Sequence, residues 1–136
     1  MPTSTQREHA QRQVNGRSAQ KRRAILHAAR EVFLNNGYPS ASMDEVAALA
    51  DVSKVTVYKY FSDKQSLFIA VVTGAIQDAE ATSRSLVDHL GQSEDIEADL
   101  RTFAHQHITV VTQPHLIHMR RMIIAEATRF PELANT

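Results

Sequence analysis

Three helix-start signals fall within 21 residues of one another, at Ser42, Ser53 and Ser62. Ser42-Met-Asp-Glu45 and Ser62-Asp-Lys-Gln65 have the Ser-x-x-Glu/Gln form, in which the first side chain and the side chain three residues later satisfy each other's backbone donors. Such spacing leaves room for only short helices before the one that begins after Ser62. The stretch between, Asp51 to Phe61 (DVSKVTVYKYF), is written in the alphabet of a β-strand: three valines, a threonine and three aromatics. Neither alternating set is cleanly apolar, so the strand pattern fails. With Ser53 as a cap, Val52 precedes it and Val57 lies four residues beyond, the spacing of a hydrophobic staple. Val57 and Phe61 then share a face at i, i+4. A helix of about two turns over 53–61 is the better reading.

The flanking segments are helical by period. Ile25, Ala29, Val32 and Phe33 fall at i, i+4, i+7, i+8, giving a helix that Ser18 can cap, that Gly37 stops and that Pro39 forbids to continue. Met43, Val46, Ala47 and Ala50 share one face of the helix opened by Ser42. Leu67, Phe68, Val71, Val72, Ala75, Ile76 and Ala79 open a long helix that Leu86, Val87 and Leu90 extend to Gly91. Ser93 with Glu94, Asp95 and Glu97 marks an acidic first turn for a helix reaching about Gln113, and Pro114 starts another running to Arg129. Residues 1–17 are polar and aperiodic, and are expected to be a flexible arm.

The chain's charges are segregated although its formal net charge is zero. Residues 1–64 carry ten Lys/Arg against six Asp/Glu, and residues 65–136 carry five against nine. Residues 1–30 alone hold seven basic side chains and one acidic. A basic front half suits a polyanion, and a solvated arm is the plainer account. There are no cysteines, which removes disulfides and thiol chemistry. No apolar run approaches the ~20 residues of a bilayer span, so no membrane is expected and the cytoplasm is the expected location.

Helix 42–50, the turn at 50–52 and helix 53–61 make a helix-turn-helix, whose second helix enters the major groove of double-stranded DNA. With Val57 and Phe61 turned inward, Lys54, Val55, Thr56, Tyr58 and Lys59 are left outside. Lys54 can donate to guanine, and Val55 or the Thr56 methyl can meet a thymine methyl. Tyr58, Tyr60 and the Ser42 hydroxyl can donate to phosphates. Lys64 lies in the first turn of the next helix, where a cation opposes the dipole, so it is expected to have a partner and a phosphate is the candidate.

The segment ILHAAREVFLNNGYPSASMDEVAALADVSKVTVYKYFSDKQSLF resembles the DNA-binding domain of TetR-family transcriptional regulators. Its specific parts are Phe33…Gly37-Tyr38, Ser53-x-x-Thr56-x-Tyr58-x-Tyr60-Phe61, and Asp63-Lys64-x-x-Leu67-Phe68. The resemblance implies base contacts from Lys54, Val55 and Tyr58, and phosphate contacts from Ser42, Thr56, Lys59, Tyr60 and Lys64. Tyr58 would be shared between bases and backbone. Asp51 stands where the family usually has Gly, and Val55 replaces a commoner small residue.

The ending IAEATRFPELA is similar to a segment of the AefR-like branch. The resemblance implies an all-α fold: a flexible basic arm (1–17), a three-helix DNA-binding domain with a helix-turn-helix (18–68), and an incomplete helical effector and dimerisation domain (69–136). It also implies a ligand-responsive repressor that binds a palindromic operator as a homodimer, with a small-molecule effector in a cavity of the C-terminal helices. Two further long helices normally make the family's dimer, so this chain is expected to be a truncated product that self-associates weakly. The basic residues 7–23 are expected to add phosphate or minor-groove contacts.

His105, His107, His115 and His118 lie within fourteen positions, but His105 and His107 point to different faces, so no metal and no cofactor are expected. Arg120-Arg121 is expected to pair with the acidic stretch 94–99. No Ser/His/Asp set or Gly-rich phosphate loop has supporting context, and the chain is not expected to be an enzyme. A helical protein-interaction module is the competing class, separable by the steep salt dependence of DNA binding.

Overall fold

The computed structural model describes residues 4–90 and 94–135. Every element among them is helical: α1 (Ser4–Ser40), α2 (Met43–Ala50), α3 (Lys54–Tyr60), α4 (Lys64–His89), α5 (Ile96–Val111), α6 (Pro114–Ala125) and a 3₁₀ turn at Pro131–Asn135. None of the described helices is long and apolar enough to cross a membrane. The chain divides into two compact units, Met1–Phe68 and Ile69–Thr136.

In the first unit the apolar periodicity of the sequence becomes the core. Ile25, Ala29, Val32 and Phe33 of α1 are buried, as are Met43, Val46 and Ala47 of α2 and Val57 of α3. Phe33, Tyr38 and Phe68 form an aromatic cluster. Phe68 meets Phe33 edge-on at 5.2 Å between ring centroids and Tyr38 at 4.9 Å, while Phe33 and Tyr38 lie nearly parallel at 6.0 Å. Edge-to-face pairs align the positive ring edge with a negative face, adding to the burial itself.

Gly37 ends the regular part of α1 as expected, with φ 75° and ψ 164°. That basin is open essentially to glycine alone, and a Cβ there would be strained by the backbone even though Pro39 Cδ is 3.9 Å away. The kink turns the chain through Tyr38–Ser40 into the cap of α2.

Four expectations are corrected. Residues 4–17 are helix, not an irregular arm, and continue α1 backwards. Three Gln and three Arg, both good helix formers, stand there and no Pro interrupts, so the stretch can be helix without an apolar stripe. Ser18 is therefore inside the helix and caps nothing. Asp63 rather than Ser62 caps α4, its Oδ1 accepting from the Ser66 N–H at 2.7 Å. Aspartate is as good a cap as serine, and its position one residue later decides the register. Finally, α6 ends at Ala125 rather than Arg129, and Ile124 within it, counted into an apolar stripe, is 74% exposed.

In the second unit Asp95 caps α5, accepting from the Ala98 N–H at 3.1 Å. The expected stop at Gly91 and the expected start at Ser93 lie outside the described residues. Arg120 and Arg121 make no ion pair among the described residues. Glu97 is instead taken by Arg101, one turn along α5, at 3.2 Å. An i, i+4 partner on the same helix is held close by the helix itself, whereas a cross-helix pair needs a set geometry.

Candidate nucleic-acid interface

The interface candidate is built on local caps. The Ser42 hydroxyl accepts from the Glu45 N–H at 3.2 Å, and Glu45 Oε2 accepts from the Ser42 N–H at 3.4 Å, the reciprocal box read from the sequence. Asn36 Nδ2 donates to the same carboxylate oxygen at 3.0 Å, tying the end of α1 to the start of α2.

The turn after α2 is a Schellman closure. The Val52 N–H reaches the Ala47 carbonyl at 3.1 Å and the Asp51 N–H reaches Ala48 at 3.3 Å. Asp51 occupies the left-handed region at φ 55°, ψ 45°, where glycine carries no steric cost.

Ser53 then opens α3, accepting from the Thr56 N–H at 3.1 Å, while its hydroxyl and the Thr56 hydroxyl are 2.8 Å apart. Val57 is fully buried and Phe61 nearly so. These two anchors fix the rotation of α3 about its axis, and they leave Val55 80% exposed and Tyr58 43% exposed on the outer surface. Lys54 and Lys59 are also exposed. Apolar side chains held outward on a helix of poor helix formers are what a groove reader requires, since caps and buried anchors replace propensity as the source of order.

Several site residues have internal partners that no local pattern announces. The Lys54 ammonium lies 3.0 Å from Asp44 Oδ1 in the first turn of α2. That hydrogen bond, with the charge behind it, raises the Lys54 pKa, so Lys54 is cationic at neutral pH. Both partners are exposed, so solvent and salt screen the pair and a base edge can replace Asp44.

Tyr60 turns away from α3's outer face, its hydroxyl 2.8 Å from Ser18 Oγ on α1. Arg22, one turn further along α1, stacks its guanidinium 5.3 Å from the Phe61 ring centroid. These two contacts tie α1 to the C-terminal end of α3. Lys59 sits 6.0 Å above the Tyr60 ring.

Lys64 has the partner its position demanded, and that partner is internal. Its ammonium donates to the Tyr38 carbonyl at 2.9 Å and the Pro39 carbonyl at 3.3 Å, and stands 4.6 Å over the Tyr38 ring. The carbonyls exposed by the kink at Gly37 thus give the cation an internal partner at the start of α4. An ammonium has three donors, and two are committed here.

Ser42, Lys54, Val55, Thr56, Tyr58 and Lys59 therefore sit on or beside the outer surface of the helix-turn-helix, while Tyr60 and Lys64 brace it from within. Asp63 completes the frame: hydrogen bonds from the Ser66 backbone and side chain hold its carboxyl below the ordinary value of 3.8.

In the second unit, a cavity of about 460 Å³ opens among α4, α5 and α6. Ala75, Ile76, Ala79, Val111, Leu116, Met119 and Ile123 make it apolar, and Glu80, Ser83, Arg84 and Arg120 supply its polar groups. No group of three or more His, Asp or Glu among the described residues is arranged to hold a metal ion.

Comparison with known proteins bears on both units. Residues 25–71 match the family model described as "Bacterial regulatory proteins, tetR family", and residues 98–136 match "AefR-like transcriptional repressor, C-terminal domain". The chain belongs to the tetR family. A TetR-family transcriptional regulator from Mesorhizobium loti is similar in structure, with a TM-score of 0.84 at 39% sequence identity, over 88% of this chain and 59% of that one. The HTH-type transcriptional activator FasR of Mycolicibacterium smegmatis is 47% identical over 53 residues, 39% of this chain and 24% of that protein. The HTH-type transcriptional repressor BepR of Brucella suis is 34% identical over 61 residues, 45% of this chain and 29% of that protein. The chain thus spans a quarter to a third of the curated relatives it matches. The relatives thus include an HTH-type activator and an HTH-type repressor.

Proposed function

We propose that the chain is a sequence-specific transcriptional regulator that reads double-stranded DNA with α3. The observation that carries this reading is the outer face of α3, where Val55, Tyr58, Lys54 and Lys59 stand exposed on a short helix fixed by Val57 and Phe61. Lys54, Val55 and Tyr58 take base edges; Ser42, Thr56 and Lys59 take phosphates. The Ser42 hydroxyl, although accepting in its cap, still has its own proton to donate. Tyr60 and Lys64 act mainly by orienting α3 and α4, with Lys64 retaining one donor for a phosphate.

The protein works as a ligand-responsive repressor on a palindromic operator, two copies placing their α3 helices in successive major grooves about 34 Å apart. The apolar cavity of the second unit is the site for a small-molecule effector, whose binding shifts the equilibrium between operator-competent and operator-incompetent arrangements. Operator DNA places the protein in the cytoplasm.

Selection of bound sites from a random duplex pool tests the reading. Recovery of a palindromic consensus, with affinity falling steeply between about 50 and 200 mM salt, supports it. Flat salt dependence and no enriched sequence would favour a protein-interaction module instead. In the same assay Lys54→Ala is expected to relax preference at one base pair, by about 1–3 kcal/mol of discrimination.

A further inference from the structure

Among the described residues, Lys54 is the one cation of the interface that an acid holds. Its Nζ lies 3.0 Å from Asp44 Oδ1, joining the first residue of α3 to the first turn of α2. Lys59 stands over the Tyr60 ring and Lys64 bonds two carbonyls. The neighbouring acids serve the fold, since Glu45 closes the box at Ser42 and Asp63 caps α4. Asp44 does neither. Ser42 already caps its helix, and its side chain stays 69% exposed with Lys54 as its partner.

A lysine ammonium is a compact charge on a flexible stem, and a free one settles on whichever phosphate is near. Phosphates line every duplex, so such a cation adds affinity for any sequence and information about none. The carboxylate of Asp44 changes that choice. To reach a phosphate, Lys54 must exchange one exposed anion for another, which gains little. To meet a guanine edge it need not let go, because an ammonium has three donors and Asp44 takes one. Lys54 begins α3, the end that a reading helix presents to base edges, and Asp44 holds the ammonium there. The same carboxylate sits close in sequence to Ser42, where it repels a phosphate that is out of register.

We infer that Asp44 is a positioning residue that determines specificity: it keeps the Lys54 ammonium on a base edge and off the phosphates. It lowers affinity for random DNA and thereby raises discrimination. The inference rests on the reading of α3 as a duplex reader with Lys54 at a base. Both side chains are exposed, so the effect on preference is about two- to fivefold, the ordinary worth of such a pair.

The test uses the 136-residue chain, a duplex recovered by the selection above and a random duplex of equal length. Asp44→Asn keeps the side chain's size and removes its charge. It is expected to bind the random duplex more tightly and to steepen the salt slope there by about 0.9, as Lys54 gains a phosphate. Preference for the selected duplex should fall by about two- to fivefold, at the base pair that Lys54→Ala relaxes. Asp44→Asn/Lys54→Ala is expected to keep the slope of Lys54→Ala, since no ammonium remains to be released. Asp44→Glu restores the charge and is expected to recover the wild-type slope. A damaged α2 cannot tighten binding to random DNA, so that gain separates positioning from lost stability. Equal weakening on both duplexes, or the same change of slope with and without Lys54, overturns the role of Asp44 and leaves that of α3 intact. If Lys54→Ala relaxes no base pair, the inference falls together with the placing of Lys54 at a base. Failure of the wild type to bind any selected duplex overturns the reading of α3 as well.

Discussion

The two units of the chain are both helical and differ in how much apolar surface they cover. Among the described residues, fourteen apolar side chains are buried in residues 1–68 and four in residues 69–136. In the first unit α1, α2 and α3 each present a stripe whose every expected anchor is buried or nearly so, and caps at Ser42, Ser53 and Asp63 satisfy the exposed donors of three helix starts. In the second, α5 has a cap at Asp95 but no buried residue, and Leu100 remains 52% exposed. Caps and amphipathic period are thus enough to specify a helix, but not to specify what it packs against. The first unit has the interior of a folding unit, while α5 has the surface of a helix that opens locally at little cost.

The largest effect that could break this contrast is a core truncation. Phe68→Ala removes the ring that joins Phe33 to Tyr38 and is expected to cost about 3–5 kcal/mol, enough to unfold the helix-turn-helix of a marginally stable domain. Leu100→Ala, on α5, is expected to cost under about 1 kcal/mol. Urea denaturation of both variants measures the difference, and comparable losses would mean that α5 is packed as firmly as the first unit. Hydrogen exchange gives the same comparison without mutation: amides of α1 around Phe33 should be the slowest in the chain and those of α5 among the fastest.

A backbone exchange comes next. Gly37→Ala places a Cβ on a residue at φ 75°, ψ 164°, and is expected to cost about 1–3 kcal/mol through conformational strain rather than collision. Because Lys64 binds the carbonyls of Tyr38 and Pro39, a shift at this kink also frees the ammonium that fastens α4. Thermal melting reads the loss. An unchanged melting temperature would show that the kink relaxes and contributes little to the first unit's rigidity.

The opposite sign is expected at Asp51. Its left-handed conformation closes the turn between α2 and α3, and Asp51→Gly removes the Cβ penalty, stabilising the domain by roughly 0.5–1 kcal/mol after the added chain entropy of glycine is set against it. A loss of stability would show that the aspartate does something at the turn beyond tolerating it.

What could be read from the sequence divides along range. The helices, the reciprocal box at Ser42, the cap at Ser53 and the inward face of Val57 and Phe61 depend on partners three or four residues away, and local spacing reveals them. The stop at Gly37 and the left-handed turn at Asp51 follow from single residues. The bonds that orient the site were not legible: Ser18 to Tyr60, Lys54 to Asp44, and Lys64 to the carbonyls of Tyr38 and Pro39 span from ten to 42 residues. The chemistry gave half of the last one, since a cation at a helix start needs an electron-rich partner. Only the fold could say that the partner is a carbonyl pair left open by the kink. Helix in residues 4–17 was missed for another reason: aperiodic polarity signals the absence of packing, not the absence of helix.

The finest test concerns the start of α4, where the sequence favoured Ser62 and the structure uses Asp63. The Asp63 carboxylate accepts hydrogen bonds from the Ser66 backbone and side chain, and they lower its pKa from 3.8. A carboxyl whose folded pKa is depressed contributes stability that is complete above the unfolded value and is lost as pH falls through the folded one. The cap is therefore intact across neutral and mildly acidic pH, and it opens only in acid below the ordinary aspartate range. Asp63→Asn keeps an oxygen acceptor at the cap but removes the titration, so the variant should be nearly as stable at neutral pH and should lose the acid step. Following the Ser66 amide by NMR during an acid titration separates the two chains. If Ser62 were the working cap, the Ser66 amide would show no step in the wild type, and the asparagine exchange would change nothing at any pH.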